Sequence, residues 1–195
     1  MPAQKPFLTD IETIRSRARS HIERGAVTEG YKADREAVLG LLNAALATEI
    51  VCTLRYKRHY YMAAGIHAKS VAAEFLEHAE EEQEHADQIA ARIVQLGGAP
   101  DLAPEGLAAR SHSQYVEGED IVDMLEEDLV AERIAIDTYR EIVQFLGEAD
   151  PTSRRVMESV LAKEEEHAED LKSLLEELGK KGEPERRSAE QALRH

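Results

Sequence analysis

The sequence of 195 residues has one cysteine, six prolines and no tryptophan. The single cysteine, Cys52, excludes an internal disulfide framework and a four-cysteine iron or zinc module. We therefore interpret Cys52 as a small buried residue rather than a redox centre. The few prolines and the absence of long polar tracts exclude extensive disorder. A hydrophobic content of 43% suffices for one domain with a proper core.

The sequence also lacks a recognisable targeting segment or membrane anchor. Residues 1–10 contain no apolar stretch that resembles a signal peptide, and no apolar run approaches membrane-spanning length. We therefore expect a cytoplasmic protein with no membrane partner.

The chain is acidic, with a formal net charge of −15, although both of its ends carry an excess of basic residues. An acidic body repels the phosphates of nucleic acids and the headgroups of anionic lipids, and it concentrates cations. Metal cations are thus expected partners. DNA is not expected, because the basic balance of the two ends is only a weak signal for it.

Helix signals predict an all-α fold. Thr9 with Glu12 forms a capping box for a short N-terminal helix that stops at Gly25. Four long helices follow, at about 34–64, 67–96, 120–146 and from the Asp150 cap to just before Gly179. We divide the chain into an N-terminal extension (1–30), a helical bundle (31–179) and a C-terminal tail (180–195).

The connections between the long helices predict their arrangement. The first and third links, at Gly65 and Gly147, are short, whereas about 22 residues run from Gly97 to Gly118. Short links join antiparallel neighbours, and 22 residues are enough to cross the whole length of a bundle. The pattern therefore predicts a four-helix bundle with one long crossover.

The two halves of the chain repeat each other. Residues 82–87 (EQEHAD) and 164–169 (EEEHAE) share a Glu-x-x-His pair, and each pair follows a distant glutamate by 32 or 33 residues. Leucines at −7 and −3 and a tyrosine at +7 surround each distant glutamate, in the sets Leu42, Leu46, Glu49, Tyr56 and Leu125, Leu129, Glu132, Tyr139. We infer a duplicated helix pair.

The duplication predicts a dinuclear metal site. Six potential ligands lie on the apolar faces of four helices: Glu49, Glu82, His85, Glu132, Glu164 and His167. Four buried carboxylates cannot stay ionised without partners, and two divalent cations would balance their charge. Alternatively, the glutamates lie solvated at the edges of their stripes and the histidines are ordinary core residues.

These motifs resemble the ferritin-like superfamily, and within it bacterioferritin, over residues 34–178. The resemblance implies two iron ions per subunit, with Glu82 and Glu164 bridging them, Glu49 and Glu132 as terminal ligands, and His85 and His167 binding one ion each. It implies a ferroxidase that oxidises Fe(II) with oxygen or hydrogen peroxide. Carboxylate and imidazole ligands suit iron or manganese. Tyr56 follows Glu49 by seven residues and so lies on the same helix face. It either hydrogen-bonds a ligand carboxylate, donates an electron during oxidation, or is an ordinary core residue. The same alternatives hold for Tyr139.

The chain departs from bacterioferritin at two places. Gln83 stands where that family has its haem-binding methionine, so no haem is expected. The tail after Gly179 is short and contains Gly182 and Pro184, which puts the family's fifth helix and its 24-subunit shell in doubt. A twelve-subunit shell of the Dps type is the alternative homo-oligomer, although Dps proteins build their iron site between subunits.

The resemblance therefore implies iron storage and detoxification, with the mineral held in a hollow homo-oligomer. A di-iron or di-manganese peroxidase or catalase without storage, and a DNA-protecting shell, are the alternatives. His78, with Glu77 and Glu81 nearby, is either an iron uptake site or part of a solvated acidic face. His59 and His112 lie near helix or loop ends, where packing or subunit contacts are expected rather than metal binding.

Overall fold

The structure, a computed structural model, describes residues 9–65 and 68–192, with side chains described through residue 179. The described chain is 75% helical and contains no strand. In chain order, the helices are α1 (Ile11–Arg19), α2 (Arg35–Met62), α3 (Ala68–Gln95), α4 (Leu107–Arg110), α5 (Ile121–Leu146) and α6 (Pro151–Ala192). Helix α2 packs along α3, and α5 packs along α6. The predicted all-α four-helix bundle is confirmed.

Three of the four long helices begin at aspartate caps, of which the sequence predicted the one at Asp150. The side chain of Asp34 accepts from Glu36 N and Ala37 N, and Asp120 caps α5 in the same way. Asp150 accepts from Ser153 N at 2.9 Å ahead of Pro151, which is the first residue of α6. Each cap satisfies backbone donors that have no partner inside the helix. The predicted start of the second long helix at His67 lies outside the described residues.

The N-terminal helix differs from its prediction in cap and in length. Asp10, not Thr9, caps α1 and accepts from Thr13 N at 2.9 Å. The predicted capping box of Thr9 and Glu12 was therefore wrong by one residue. The helix ends at Arg19, and a 3-10 turn (Ile22–Arg24) separates it from Gly25. None of its residues is buried, so α1 contributes nothing to the core of this chain.

The last helix continues past its predicted end. Helix α6 runs through Gly179, Gly182 and Pro184 to Ala192, so the predicted end before Gly179 was wrong. A glycine costs a helix only about 1 kcal/mol relative to alanine, and it ends a helix reliably only where the backbone turns to positive φ. Gly147, at the end of α5, has a φ of 46°, whereas Gly179 has no positive φ. The division of the chain at residues 30 and 179 stays a proposal.

One helix has the length and composition of a membrane span, contrary to our expectation. Helix α2 is long and apolar enough to cross a membrane, but 56% of its most apolar window is buried inside the protein. Val38, Leu42 and Leu46 belong to the core cluster that all four long helices share. The apolar character of α2 is therefore explained by its central place in the bundle.

The core consists of two apolar clusters. The first includes Leu42 and Ile89, and the second includes Phe75 and Leu171. Along each long helix, the glutamates and histidines of the duplicated motifs lie between these two clusters. Apolar packing on both sides thus holds the polar middle of the bundle in place.

The crossover from α3 to α5 is tied to α2 by buried polar groups. Arg55 Nε donates to Asp128 Oδ1 of α5 at 2.7 Å, and Arg55 Nη1 donates to the carbonyl of Gln114 in the crossover at 3.0 Å. His59 contacts Asp128 Oδ2 at 2.8 Å and the carbonyl of Val116 at 3.2 Å. This network fixes α2, α5 and the crossover relative to one another. It also explains why His59 is fully buried near a helix end.

Candidate metal centre

Four helices bring six ligating side chains together in the middle of the bundle. Helices α2 and α5 contribute one glutamate each, and α3 and α6 each contribute a glutamate and a histidine three residues apart, which places each pair on one helix face. The six are Glu49, Glu82, His85, Glu132, Glu164 and His167. His85 is 6% exposed, and the other five are 1% exposed. The alternative of solvated glutamates at the edges of the helices is therefore excluded.

The six side chains form two overlapping groups. In each group the ligand atoms lie within 4.8 Å of one another: Glu49, Glu82, His85 and Glu164 in the first, and Glu82, Glu132, Glu164 and His167 in the second. Glu82 and Glu164 belong to both groups, so they are placed to bridge two ions. The structure thus brings together all six side chains that the sequence predicted as ligands, and their role as ligands stays a proposal.

One ring nitrogen of His85 faces three carboxylates. His85 Nδ1 lies 3.1 Å from Glu49 Oε2, 3.0 Å from Glu164 Oε1 and 3.8 Å from Glu82 Oε2. Only the contact with Glu49 has the geometry of a hydrogen bond. One N–H group cannot donate to three carboxylates at once, whereas one cation can contact all of them.

The ring of His167 is fixed from the outside by a carboxylate that the sequence did not predict for this role. His167 Nε2 lies 2.7 Å from Glu81 Oε2, and Lys163 Nζ lies 3.0 Å from Glu81 Oε1. This contact leaves Nδ1 facing the centre, 3.5 Å from an oxygen of Glu82 and 3.5 Å from an oxygen of Glu164. A carboxylate on the outer nitrogen is the usual support of a metal-binding histidine.

The two core tyrosines cross between the halves of the bundle. The hydroxyl of Tyr56 on α2 donates to Glu132 on α5, and the hydroxyl of Tyr139 on α5 donates to Glu49 on α2. Both tyrosines are fully buried. Burial and the adjacent carboxylates, Glu132 and Glu49, raise the pKa of these hydroxyls, so both stay neutral donors. Tyr56 thus hydrogen-bonds one of the six candidate ligands, as one of its predicted roles requires, and the partner belongs to the other half of the chain.

In the absence of cations, the surroundings of the centre favour protons on three of its buried groups. Burial works against the charged form of His85, yet its contacts with Glu164 and Glu49 raise its pKa to about 12. Burial opposes the charge of His167 as well, and its contacts with Glu164 and Glu82 raise its pKa to about 11. Burial and the charge of Glu82 raise the pKa of Glu49 to about 8.

The pKa values of Glu132 and Glu164 shift in opposite directions. Burial, followed by the charge of Glu164, raises the pKa of Glu132. Burial and the charge of Glu49 also favour a higher pKa for Glu164. The contacts with His167 and His85 outweigh both effects, so the pKa of Glu164 is lowered. A lowered pKa favours the ionised form of Glu164, whose two oxygens lie 3.0 Å from His85 Nδ1 and 3.5 Å from His167 Nδ1.

Several buried atoms of the centre lack a hydrogen-bond partner. They are Glu82 Oε1, both carboxylate oxygens of Glu164, and His167 Nδ1. Buried polar atoms without partners are costly, and carboxylate oxygens are the most costly of them. Two divalent cations would contact all of these atoms and would balance four carboxylate charges. The donor set, four carboxylates and two imidazoles, fits iron or manganese.

Other residues singled out in the sequence have structural roles or lie apart from the centre. Cys52 is 2% exposed, and burial raises the pKa of its thiol, in agreement with its interpretation as a buried core residue. His112 contacts Thr48 and so attaches the crossover to α2. Glu77 is exposed, as expected for a solvated helix face. Gln83 is also exposed and donates to Asp87.

His78 was predicted to lie near Glu77 and Glu81, but the carboxylates that face its ring nitrogen belong to Glu74 and Asp170. It is 1% exposed, and its ring stacks on His167 with the ring centroids 4.0 Å apart. Its Nε2 atom faces Glu74 and Asp170. The sequence offered one signal that was missed: Glu74 and His78 are four residues apart and so share a helix face.

A family profile and two similar proteins point to the same family. The profile of the Ferritin-like domain matches residues 39–180. Bacterioferritin of Rhodobacter capsulatus is 33% identical over 149 residues, which cover 74% of this chain and 88% of the relative. The DNA protection during starvation protein of Halobacterium salinarum is 32% identical over 152 residues, which cover 74% of this chain and 82% of the relative.

Solved structures agree. The bacterioferritin-related protein of Bacteroides fragilis, described as a dodecameric thioferritin, has a TM-score of 0.75 and 34% identity, covering 78% of this chain and 92% of that protein. Rhodobacter capsulatus bacterioferritin has a TM-score of 0.65 and 31% identity, covering 74% and 87%. The resemblance to bacterioferritin, with Dps proteins as neighbours, is confirmed. The chain belongs to the family of proteins with a ferritin-like domain.

Proposed function

We propose that this chain oxidises Fe(II) at a dinuclear centre inside each subunit and stores the product as a mineral in a hollow homo-oligomer. The observation that carries the proposal is the buried cluster of four glutamates and two histidines, whose unpartnered atoms face a common space. Relatives named bacterioferritin, at about 30% identity over three quarters of the chain, support iron as the metal. We propose the cytoplasm as its location, no membrane partner and no haem.

Each residue of the centre has a distinct task. Glu82 and Glu164 would hold both ions, Glu49 and His85 would complete one position, and Glu132 and His167 would complete the other. Two ferrous ions bound there would each supply one electron, which together reduce one molecule of hydrogen peroxide, or one of oxygen to peroxide. Tyr56 and Tyr139 orient Glu132 and Glu49 by donating to them. Burial of all six ligands keeps bulk water out.

The protons of the metal-free centre must leave when cations enter. His85 and His167 are protonated at neutral pH because the surrounding carboxylates raise their pKa values. Metal binding requires neutral imidazoles. The carboxylates that accepted hydrogen bonds from these imidazoles can then bind the ions instead. This change needs only side-chain rotation, so the helices can stay in place.

An anaerobic titration with Fe(II), followed by air, tests the proposal. We expect rapid growth of ferric absorbance up to two irons per subunit, and then continued uptake of iron into soluble protein. The Glu82→Gln variant should lose the rapid phase, because Glu82 belongs to both metal positions. Glu80→Gln is the matched control, since Glu80 is exposed on the same helix and loses the same charge.

The same experiment separates the alternatives. Saturation at two irons without further uptake would point to a peroxidase or catalase without storage, and metal analysis after growth with iron and manganese would then identify its metal. No oxidation at all would contradict the proposal. A DNA-protecting shell is the second candidate because of the Halobacterium salinarum relative. The net charge of −15 disfavours it, and a DNA mobility-shift assay at low salt would decide.

We propose a dodecamer rather than a 24-subunit shell. The support comes from the Bacteroides fragilis relative, which is described as dodecameric. Within the described residues, Gly179, Gly182 and Pro184 also lie inside α6 rather than in a link to a further helix. Light scattering coupled to size-exclusion chromatography would distinguish the two assemblies.

A further inference from the structure

A second cluster of ligating side chains lies between α3 and α6, outside the dinuclear centre. Its members are Glu74, His78 and Asp170, and their ligand atoms lie within 4.8 Å of one another. His78 Nε2 is 3.5 Å from Glu74 Oε1 and 4.0 Å from Asp170 Oδ2. These distances are too long for good hydrogen bonds. They suit atoms around one ion, since ligands about 2.1 Å from a metal lie about 3–4 Å from each other.

His78 is a buried polar side chain without a hydrogen bond. It is 1% exposed, and among the described residues neither ring nitrogen makes a hydrogen bond. Its Nδ1 atom is buried without any partner. Leaving a polar group in this state is costly, so packing alone does not explain a histidine here.

The internal duplication shows that the bundle does not need these residues. With Glu82 aligned on Glu164, the counterparts of Glu74 and His78 on α6 are Val156 and Val160, and the counterpart of Asp170 on α3 is Gln88. Two valines and a glutamine therefore fill the equivalent positions of the same architecture. The three ligating residues occur in one half only, as expected for a site added to the fold.

We propose that Glu74, His78 and Asp170 bind one divalent transition-metal ion. Two carboxylates balance its charge, and one imidazole with two carboxylate oxygens suits Fe(II), Mn(II) or Zn(II). Water completes the coordination, because the side chains of Glu74 and Asp170 are 29% and 48% exposed.

The position of the site gives it a role in loading the dinuclear centre. Its carboxylates reach solvent, whereas the six ligands of the centre are buried. His78 connects the two sites, because its ring stacks on the ring of His167. An ion held here is next to the centre before it enters. This role rests on the proposed function, whereas binding of the ion does not.

The test is the number of Co(II) ions bound per subunit, measured anaerobically by equilibrium dialysis and metal analysis on the assembled protein. We expect three ions in the parent chain and two in the variant with Glu74→Gln and Asp170→Asn. The matched control, Glu77→Gln with Glu169→Gln, removes two exposed carboxylates from the same helices and should keep three. An unchanged count in the first variant would overturn the site.

Two further measurements separate this site from the centre. In Glu164→Gln, whose dinuclear centre is disabled, crystals soaked in Co(II) should still show an anomalous peak between His78 Nε2 and the two carboxylates. Absence of that peak overturns the site, and its presence supports the site even if Fe(II) oxidation fails. In the Glu74→Gln and Asp170→Asn variant, stopped-flow loading of the centre with Co(II) should slow about tenfold or more. An unchanged rate overturns the loading role.

Discussion

Glu81 makes the two proposed metal positions of the centre unequal. It accepts from His167 on the outer ring nitrogen, whereas the residue at the equivalent place in the other half is Lys163, which pairs with Glu81 itself. Among the described residues, His85 therefore has no such carboxylate behind it. A carboxylate on the outer nitrogen raises the basicity of a metal-binding histidine and fixes its orientation. We expect the position served by His167 to bind its ion more tightly.

The variant Glu81→Gln tests this asymmetry. We expect the affinity for one of the two ions to fall about 10–100-fold, while the affinity for the other changes little. A Co(II) titration followed by absorbance resolves the two binding steps. Glu80→Gln, exposed on the same helix, should leave both steps unchanged. Equal weakening of both steps would contradict the asymmetry.

Proton release is the second prediction at this scale. The surrounding carboxylates raise the pKa of His85 to about 12 and that of His167 to about 11, so both are protonated in the metal-free centre at pH 7. Both must lose a proton to bind a metal, so the apparent affinity rises with pH and falls as the pH is lowered. Calorimetry in two buffers of different ionisation enthalpy should give about two or more protons released per subunit. Heats that do not depend on the buffer would contradict it.

At the scale of the helices, the bundle and its six central residues were predictable from the sequence. The duplicated motif repeats both the spacing of the ligands and the apolar residues around them, and the aspartate caps mark three helix starts. The caps succeed because they depend only on local backbone donors. Helix ends are less well determined, as Gly179 shows.

Contacts between the halves could not be read from spacing. Tyr56 and Glu49 are seven residues apart on one face of α2, yet the hydroxyl of Tyr56 reaches Glu132 on α5. This crossed pairing depends on how α2 packs against α5. The contact of Glu81 with His167 joins two helices in the same way. Periodicity shows which face of a helix is buried but not which partner that face meets.

Asp128 provides a test of how the helices and the crossover are connected. It is fully buried and accepts from Arg55, and it also pairs with His59. In Asp128→Ala, the buried guanidinium of Arg55 would lose its counter-charge, and we expect a loss of about 3–5 kcal/mol in the free energy of unfolding. Urea denaturation measures this loss. Faster hydrogen exchange at the crossover residues 111–118 should accompany it.

Glu126→Ala on the same helix is the control for Asp128→Ala. Glu126 is exposed, so its removal should change the free energy of unfolding by no more than about 0.5 kcal/mol. If both variants lose equal stability, helix propensity rather than the buried network would explain the effect.

For the whole molecule, the proposed metal centre predicts a stability that depends on metal. The four glutamates lie between the two apolar clusters, where every long helix contributes at least one ligand. In the metal-free protein, the protons on His85, His167 and Glu49 reduce the repulsion among the carboxylates, so the fold should persist without metal. Under the proposed function, cations would replace those protons and connect all four helices. Metal should therefore stabilise the whole bundle rather than one element.

Metal removal measures that stability. A ligand that binds only the native state, present at 100 times its Kd, adds about 2.7 kcal/mol per site. For the two ions of the centre, in a domain of this size, that corresponds to a rise of about 10–20 °C in the midpoint of thermal unfolding. We expect this rise when Co(II) is added anaerobically to protein treated with EDTA. In Glu164→Gln the rise should be much smaller, because Glu164 belongs to both positions. Equal midpoints with Co(II) and with EDTA in the parent chain would show that the buried carboxylates are stabilised without metal.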